Sequence, residues 1–395
     1  MDPRNNPFAP GAGTPPPELS GRDDLIERAA IAIDRIRLRN PARSLILHGL
    51  RGVGKTVLLN HIRIEAESRG ITTIRLEAPE ARSLPSLLAP NLRMALLRLS
   101  RGEARKLALQ RAWQALAGFV GSLKVTYQDI EVSLDVEPEL GLADTGDFEL
   151  DLVDLLTAVG EAAAEQKTAI VIVLDELQYV PKEQLAALIR ALHSISQDVL
   201  PITMLAAGLP QIIRLLGDAK SYAERLFEFA RIDRLEYQPA SNALSKPVER
   251  EGVVFDKQAI EEVYQQTQGY PYFLQEWGKH SWNLAENSLI TLDDVRQAAG
   301  YAQAELDASF FQMRFDRLTK KEKTYLRAMA ELGAGPHRSG EVANVLGQKV
   351  TSVAKLRKDM IGKGVIYGSE HGETAFTVPL FDDFMKRIMP TLEDS

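Results

Sequence analysis

The sequence predicts an α/β protein: a doubly wound parallel sheet, then a wholly helical unit, then a small unit of three helices and a hairpin. Three observations predict it. Short apolar runs bounded by turn residues alternate with helical periodicity as far as about residue 235. The strong strand signals stop after about Pro239, while helical spacing continues through Phe315. From Leu318 onward, three helical stretches precede two short strand signals. The implied organisation is an arm at 1–18, a sheet-containing core at 19–235 with an insertion around 100–150, a helical unit at 236–315 and a C-terminal unit at 316–395.

Taken in chain order, residues 1–18 carry Pro3, Pro7, Pro10, Pro15, Pro16 and Pro17 among small residues, which removes backbone donors and disfavours regular structure, so the segment reads as a flexible arm. Over 23–39, Leu25, Ile26, Ala29, Ile33 and Ile36 recur at helical spacing, with Ser20 available as a cap. Ser44-Leu45-Ile46-Leu47-His48 suits a buried parallel strand, and Thr72-Thr73-Ile74-Arg75-Leu76 a second. Residues 84–120 have a helical pattern, 127–140 alternate weakly and 141–146 form a polar break, together read as an insertion. Ala169-Ile170-Val171-Ile172-Val173-Leu174 is the strongest strand signal, and Ile202-Thr203-Met204-Leu205-Ala206-Ala207 follows it. Near the C terminus, helices at 320–332, 340–346 and 350–362 precede short strands around Ile366-Tyr367 and Ala375-Phe376-Thr377, the order of a winged helix-turn-helix.

Composition narrows the function classes. There is no cysteine, so thiolate catalysis and zinc-cysteine sites are excluded. No stretch reaches the ~18 apolar residues that span a bilayer, and 1–17 is polar and unlike a signal peptide, so no membrane role and a cytoplasmic location are expected. A net charge of −7 argues against broad adhesion to nucleic acid, leaving only a locally basic face for any such contact.

Two motifs carry chemistry. Gly49-Leu50-Arg51-Gly52-Val53-Gly54-Lys55-Thr56 fits G-x-x-x-x-G-K-[ST], after a strand and before the helical run that starts at Val57. Gly49, Gly52 and Gly54, with Val53 and Val57, form a cradle whose backbone N–H groups and helix end attract phosphates. Lys55 reaches the β- and γ-phosphates, and Thr56 holds Mg²⁺ through its hydroxyl. The expected cofactors are therefore ATP or GTP with Mg²⁺, and the sheet becomes a P-loop NTPase fold. The second motif is Asp175-Glu176 at the end of the strongest strand, where open α/β sheets place ligands. It reads as a Walker B site: Asp175 orients the metal, and Glu176 polarises the attacking water. The structural alternative is an acidic helix N-cap. Gln178 could position water, or it is a solvated loop glutamine.

On these motifs the chain resembles AAA+ ATPases, particularly the branch shared by origin-recognition initiators and STAND signalling ATPases. Leu19-Ser20-Gly21-Arg22-Asp23 is similar to the segment that lies against adenine in that branch, which implies Gly21 and Arg22 as base-side residues and ATP as the nucleotide. Ser221-Tyr222-Ala223-Glu224-Arg225-Leu226-Phe227 resembles the segment that bears an arginine finger, which implies Arg225 as a catalytic residue donated to a neighbouring subunit, and hence a homo-oligomer. An ion pair of Arg225 with Glu224 or Glu228 is the structural alternative, and Arg214, Arg231 and Arg234 are rivals. Gly269-Tyr270-Pro271-Tyr272-Phe273-Leu274 resembles the glycine-x-proline lid motif, which implies Pro271 beside the nucleotide, while Tyr272 and Phe273 suit lid core. The sequence departs from the wider family twice. Ala207 and Gly208 stand where many members place a phosphate-sensing polar residue, and Pro271 and Tyr272 stand where others place an arginine. Slow, switch-like ATP turnover is the implication.

On the third C-terminal helix, Lys355, Arg357 and Lys358 lie between Lys349 and Lys363, with Thr351 and Ser352 near its start. They could meet the phosphates of double-stranded DNA. A protein-binding role stands beside that reading, because Asp382, Asp383, Glu370 and Glu373 keep the unit nearly neutral. His337 and His371 have no second ligand at metal spacing and read as surface or turn residues.

Overall fold

The apolar runs form a five-stranded, all-parallel sheet: β1 (Ser44–His48), β2 (Thr72–Glu77), β3 (Ile170–Asp175), β4 (Ile202–Gly208) and β5 (Phe227–Arg231), in spatial order β2-β3-β4-β1-β5. The computed structural model describes residues 1–11, 13–78, 82–100, 107–369 and 372–392. Side chains alternate between two buried faces, as the two-residue period of a strand requires. Leu45, Leu47, Val171, Val173 and Leu205 face α1 (Asp23–Arg37) and α2 (Lys55–Ser68). Ile46, Ile74, Ile172, Leu174 and Met204 face a thicker layer built by α3 (Leu84–Leu99), α4 (Leu107–Leu123), α5 (Phe148–Glu165), α6 (Lys182–Gln197), α7 (Ile212–Ala219) and α8 (Ala223–Leu226).

β5 is a strand that the sequence pattern did not single out. Its residues pair in register with β1, Ser44 opposite Phe227 and His48 opposite Arg231. The polar break at 141–146 also has a structural reason. Asp151 is fully buried at the start of α5 and accepts hydrogen bonds from Ser122 Oγ (3.0 Å), Thr145 N (2.9 Å), Thr145 Oγ1 (2.7 Å) and Gly146 N (2.9 Å). The loop closes around that carboxylate because a buried charge must be fully hydrogen-bonded.

The helical unit comprises α9 (Tyr237–Glu249), α10 (Lys257–Thr267), α11 (Pro271–Leu284) and α12 (Leu292–Glu305), joined by the parallel pair β6 (Val254–Phe255) and β7 (Leu289–Ile290). α12 runs on through a π-helical stretch, Leu306–Phe311, into α13 (Gln312–Asp316). The C-terminal elements are α14 (Lys320–Glu331), β8 (His337–Arg338), α15 (Ser339–Val345), α16 (Val350–Gly362), β9 (Ile366–Tyr367), β10 (Glu373–Phe376) and α17 (Phe381–Ile388), with the strands forming an antiparallel sheet in the order β8-β10-β9. One hydrophobic cluster runs unbroken from Leu244 and Phe273 into Phe311, Tyr325, Phe381 and Phe384, so the helical unit and the C-terminal unit share a core. Glu370 and His371 lie outside the described residues, as do residues 101–106 of the expected insertion.

The first residues are not the free arm that proline content suggests. The Met1 ammonium donates to the Ala285 carbonyl, Trp282 Nε1 donates to Asp2 O (3.0 Å), and Asn6 Nδ2 donates to Lys279 O (2.9 Å). Phe8 is 3% exposed, with its ring over Gly278, where an added Cβ would lie 2.8 Å from Phe8 Cδ1. Proline removed local hydrogen bonding, but long-range contacts with α11 supply the partners.

Candidate functional site

The loop after β1 folds back around the Lys55 side chain. Lys55 Nζ donates to the carbonyls of Gly49 (2.9 Å) and Leu50 (2.7 Å). Gly52 (φ 80) and Gly54 (φ 90) occupy the left-handed region that only glycine enters at little cost, and Gly54 caps α2. Gly49 is required for a different reason: a Cβ there would sit 2.0 Å from Ile232 O at the end of β5. Burial pushes the Lys55 amine down to about 8, against the pull of Glu176 and Asp175, which favour its charged form. The lysine is thus buried in the cradle, where Glu176 and Asp175 offset only part of its desolvation.

β3 delivers the acidic pair to this lysine. Thr56 Oγ1 donates to Asp175 Oδ2 at 2.6 Å, joining the two motifs across 119 residues of sequence. Asp175 Oδ1 accepts the Glu176 N–H at 2.8 Å, and burial holds the Asp175 carboxyl above the usual range despite the Thr56 bond. Glu176 sits at φ 53, the left-handed region, a strained backbone of the kind that concentrates at functional sites. It stands at the N-cap position of a short 3₁₀ turn but makes no side-chain cap bond. Its carboxylate is instead held by Arg51 Nη1 (3.3 Å) and by Gln178 Nε2. Gln178 is therefore not a solvated glutamine. Its Oε1 accepts the Leu209 N–H (3.0 Å) and lies over Gly208, where a Cβ would approach it to 2.9 Å, so a glutamine from the β3 side covers the end of β4 that carries no polar residue of its own.

Thr56 and Asp175 place two hard oxygen donors side by side. Among the described residues no three His, Cys, Asp or Glu side chains cluster as a metal cage. This donor set fits Mg²⁺, which takes one or two carboxylates and completes its shell with phosphate and water.

These groups line a cleft of ≈ 740 Å³ whose walls come from the N-terminal segment, the sheet-containing core and the helical unit. Val53 and Val57 line it, as do Leu19, Ser20 and Arg22. Gly21 (φ 70) lies behind the wall, its α-carbon facing Pro239, while the Arg22 guanidinium donates to the carbonyls of Asp233 and Val53 (3.5 Å to the latter) and so braces the loop. Pro271 and Tyr272 line the opposite side; Tyr272 N donates to Gly52 O (3.2 Å) and its ring stacks on Phe310 (4.8 Å between centroids). Only Phe273, 1% exposed, is core as expected of both aromatics.

The N-terminal segment roofs this cleft. Pro10, Gly11, Gly13 and Thr14 line it, and a Cβ on Gly13 would come within 3.2 Å of Thr56 Cγ2. Phe8 anchors that roof to α11, and removing a buried phenyl group costs about 3 kcal/mol or more. The Phe8→Ala variant is therefore expected to release a fluorescent adenine nucleotide about tenfold or more faster in a stopped-flow chase. An unchanged dissociation rate would show that the segment does not retain ligand.

Other expected residues stand apart. Arg225 is exposed at the sheet end where Ser44 pairs with Phe227, opposite the phosphate cradle, in a hollow with Arg43, His193 and Tyr222. Among the described residues it makes no ion pair; Glu228 instead binds Arg28. The rivals Arg214 and Arg231 pair with Asp218 (3.5 Å) and Asp233 (2.6 Å). On α16, Lys355 and Lys358 are exposed with Lys349, but Arg357 turns back to donate to Glu373 O (3.1 Å), and Lys363 pairs with Glu322 (2.7 Å). His337 is neither a surface nor a turn residue: it is buried in β8, where its Nε2 meets Gly333 O at 2.8 Å.

Residues 18–205 match the model of an AAA ATPase domain, and residues 308–385 match a domain of unknown function (DUF8462). No curated protein sequence matches the chain. Among solved structures, a Walker-type ATPase of Pyrococcus abyssi is similar over 93% of this chain and 96% of its own, at 15% identity and a TM-score of 0.59. The ORC1 protein of Aeropyrum pernix in complex with DNA is similar over 94% and 93%, at 15% identity and a TM-score of 0.48. The RuvB Holliday junction branch migration motor of Thermotoga maritima is similar over 90% and 92%, at 14% identity and a TM-score of 0.45. Among the described residues no helix is long and apolar enough to cross a membrane.

Proposed function

Since residues 18–205 form an AAA ATPase domain and the chain is a P-loop ATPase of the AAA+ type, we propose that it acts as a slow ATP-driven switch, completed by a neighbouring copy through Arg225 and read out by a C-terminal winged helix at 316–395. The observation that carries this reading is the 2.6 Å bond between Thr56 and Asp175, which puts the phosphate cradle and the acidic strand end in one site with Glu176 beside them. ATP with Mg²⁺ supplies a polarised γ-phosphoryl group and a good leaving group. Lys55 neutralises phosphate charge, Thr56 and Asp175 hold the metal, and Glu176 takes the proton side of the attacking water.

Slow turnover follows from the resting position of Glu176. Held by Arg51 and Gln178, its carboxylate must leave one or both before it can orient water. Arg51 is in turn fastened to the C-terminal unit, because its backbone N–H donates to Thr377 O at 2.8 Å. Residues 316–395 therefore bear directly on the catalytic carboxylate, which supports a switch in which a partner of that unit controls hydrolysis. The exposed Lys349, Lys355 and Lys358 of α16 suit duplex DNA as that partner. The same Arg51 contact also favours a nucleotide-gated scaffold whose winged helix binds protein.

Mixing two inactive variants tests the shared site. Glu176→Gln and Arg225→Ala are each expected to hydrolyse little ATP alone, and to recover a sizeable part of wild-type turnover when combined, because some interfaces then hold both an intact Glu176 and an intact Arg225. No recovery would rule out a trans finger at Arg225. Repeating the measurement with duplex DNA separates the partner classes: stimulation lost when Lys349, Lys355 and Lys358 are changed together supports DNA, and DNA-blind turnover supports the protein-binding scaffold.

A further inference from the structure

Arg314 enters the cleft from a part of the chain that no nucleotide motif covers. It belongs to α13, within the segment matched by the domain of unknown function, yet it lines the same cleft as Arg51, Lys55, Thr56 and Glu176. Its guanidinium carbon sits 4.3 Å from the centroid of the Phe310 ring, and Nη1 donates to the Phe310 carbonyl. Among the described residues it makes no ion pair with a carboxylate. Burial, and then the neighbouring Arg51 charge, push it down to about 10, with Glu176 pulling the other way. A half-buried arginine facing a second arginine and a buried lysine needs an anion to complete its surroundings. The available one, Glu176, is occupied by Arg51 and Gln178.

The segment that carries Arg314 is built to pass its position onward. Leu306–Phe311 is π-helical, a geometry that often marks functional sites. Its last two residues point in different directions. Phe310 stacks on Tyr272, whose N–H is bonded to Gly52 of the phosphate cradle. Phe311, 0% exposed, stacks on Phe384 of α17 at 5.1 Å, and Asp307 is paired with Arg387 of the same helix at 2.6 Å. A shift of Arg314 therefore moves a helix turn that is wedged between the nucleotide and the C-terminal unit.

We propose that Arg314 binds the terminal phosphate of the nucleoside triphosphate, exchanging the Phe310 carbonyl for phosphate oxygens, and that residues 306–316 carry the presence of that phosphate to α17. The inference rests on the reading of the cleft as an ATP site.

The experiment compares affinities for ATP and ADP in the full-length Glu176→Gln protein, which limits hydrolysis, with and without Arg314→Ala. Hydrogen exchange over 306–316 and 381–388 is followed in each complex. The expected result is a loss of ATP affinity of about 10- to 150-fold with ADP affinity held within about twofold, because only a charge-assisted contact to the third phosphate is removed. The ATP-specific change in exchange should vanish with it. Arg314→Lys should restore part of the ATP preference, since it keeps the charge and loses the fork. Equal losses for ATP and ADP, or a full ATP preference without Arg314, would overturn the assignment. Should the Glu176→Gln parent bind neither nucleotide, the ATPase reading itself fails, and this assignment fails with it.

Discussion

Replacing Lys55 by alanine is expected to weaken ATP binding by about 10- to 150-fold, the value of one hydrogen bond to a charged group. The protein prepares this lysine by burial. It is 8% exposed, and its amine rests on two carbonyls of its own loop, Gly49 and Leu50, rather than on a carboxylate. Carbonyl contacts hold the chain in place without satisfying its charge, so polyphosphate replaces them readily. Calorimetric titration of the wild type against Lys55→Ala measures the loss, with thermal melting to verify the fold. An alanine protein that binds ATP within threefold of the wild type would remove the phosphate cradle from the mechanism.

The same burial predicts a pH signature. The free folded protein holds the Lys55 pKa at about 8, below its ordinary value of 10.5. Between those two values the unfolded chain binds more protons than the folded one, so this residue makes stability rise with pH across that window; below pH 8 both states are protonated and the full desolvation cost remains. Nucleotide binding reverses the balance, because phosphate favours the ammonium. ATP affinity is expected to fall as pH rises above about 8, with net proton uptake on binding near that pH, and Lys55→Ala should abolish the uptake. Titrations in buffers of different ionisation enthalpy read this directly.

What the sequence made legible was what local pattern encodes. β1, β3 and β4 are continuous apolar runs because both of their faces are buried, and the phosphate loop has to spell its glycines and lysine in order. β5 escaped because it is an edge strand: Phe227 and Ala230 are buried but Glu228 and Phe229 are only half-buried, so neither a continuous nor an alternating signal survives. The N-terminal arm escaped because its anchors, Phe8 and the Trp282 bond to Asp2, span the whole length of the first three units. Arg314 escaped, and Gln178 stayed open between positioning water and a solvated loop, for one shared reason. Only the packing of β3 on β4, or of the helical unit around the cleft, brings each side chain to its place. Arg357 shows the converse: a basic residue that the sequence offers for phosphate contact is used up in a bond to its own neighbouring strand.

Changing Glu176 to glutamine is expected to lower ATP turnover by about 10²- to 10⁴-fold while leaving ATP affinity within about threefold, because a general base contributes to the transition state and not to the bound ground state. The substitution is nearly isosteric, so the Asp175 bond to Thr56, the Glu176 backbone contact to Asp175 and the left-handed turn at φ 53 have no reason to change. What it removes is the negative charge that Arg51 and Gln178 hold at rest. Arg51 then loses its carboxylate partner next to Arg314 and Lys55, which raises the positive potential at the cleft and favours a triphosphate over a diphosphate. A drop in kcat together with an ATP affinity equal to or tighter than wild type is thus the signature of a catalytic carboxylate in this setting. A variant that still hydrolyses ATP within threefold of the wild type would assign the attacking water to another group, and Gln178, bonded to both Glu176 and the end of β4, would be the first to test.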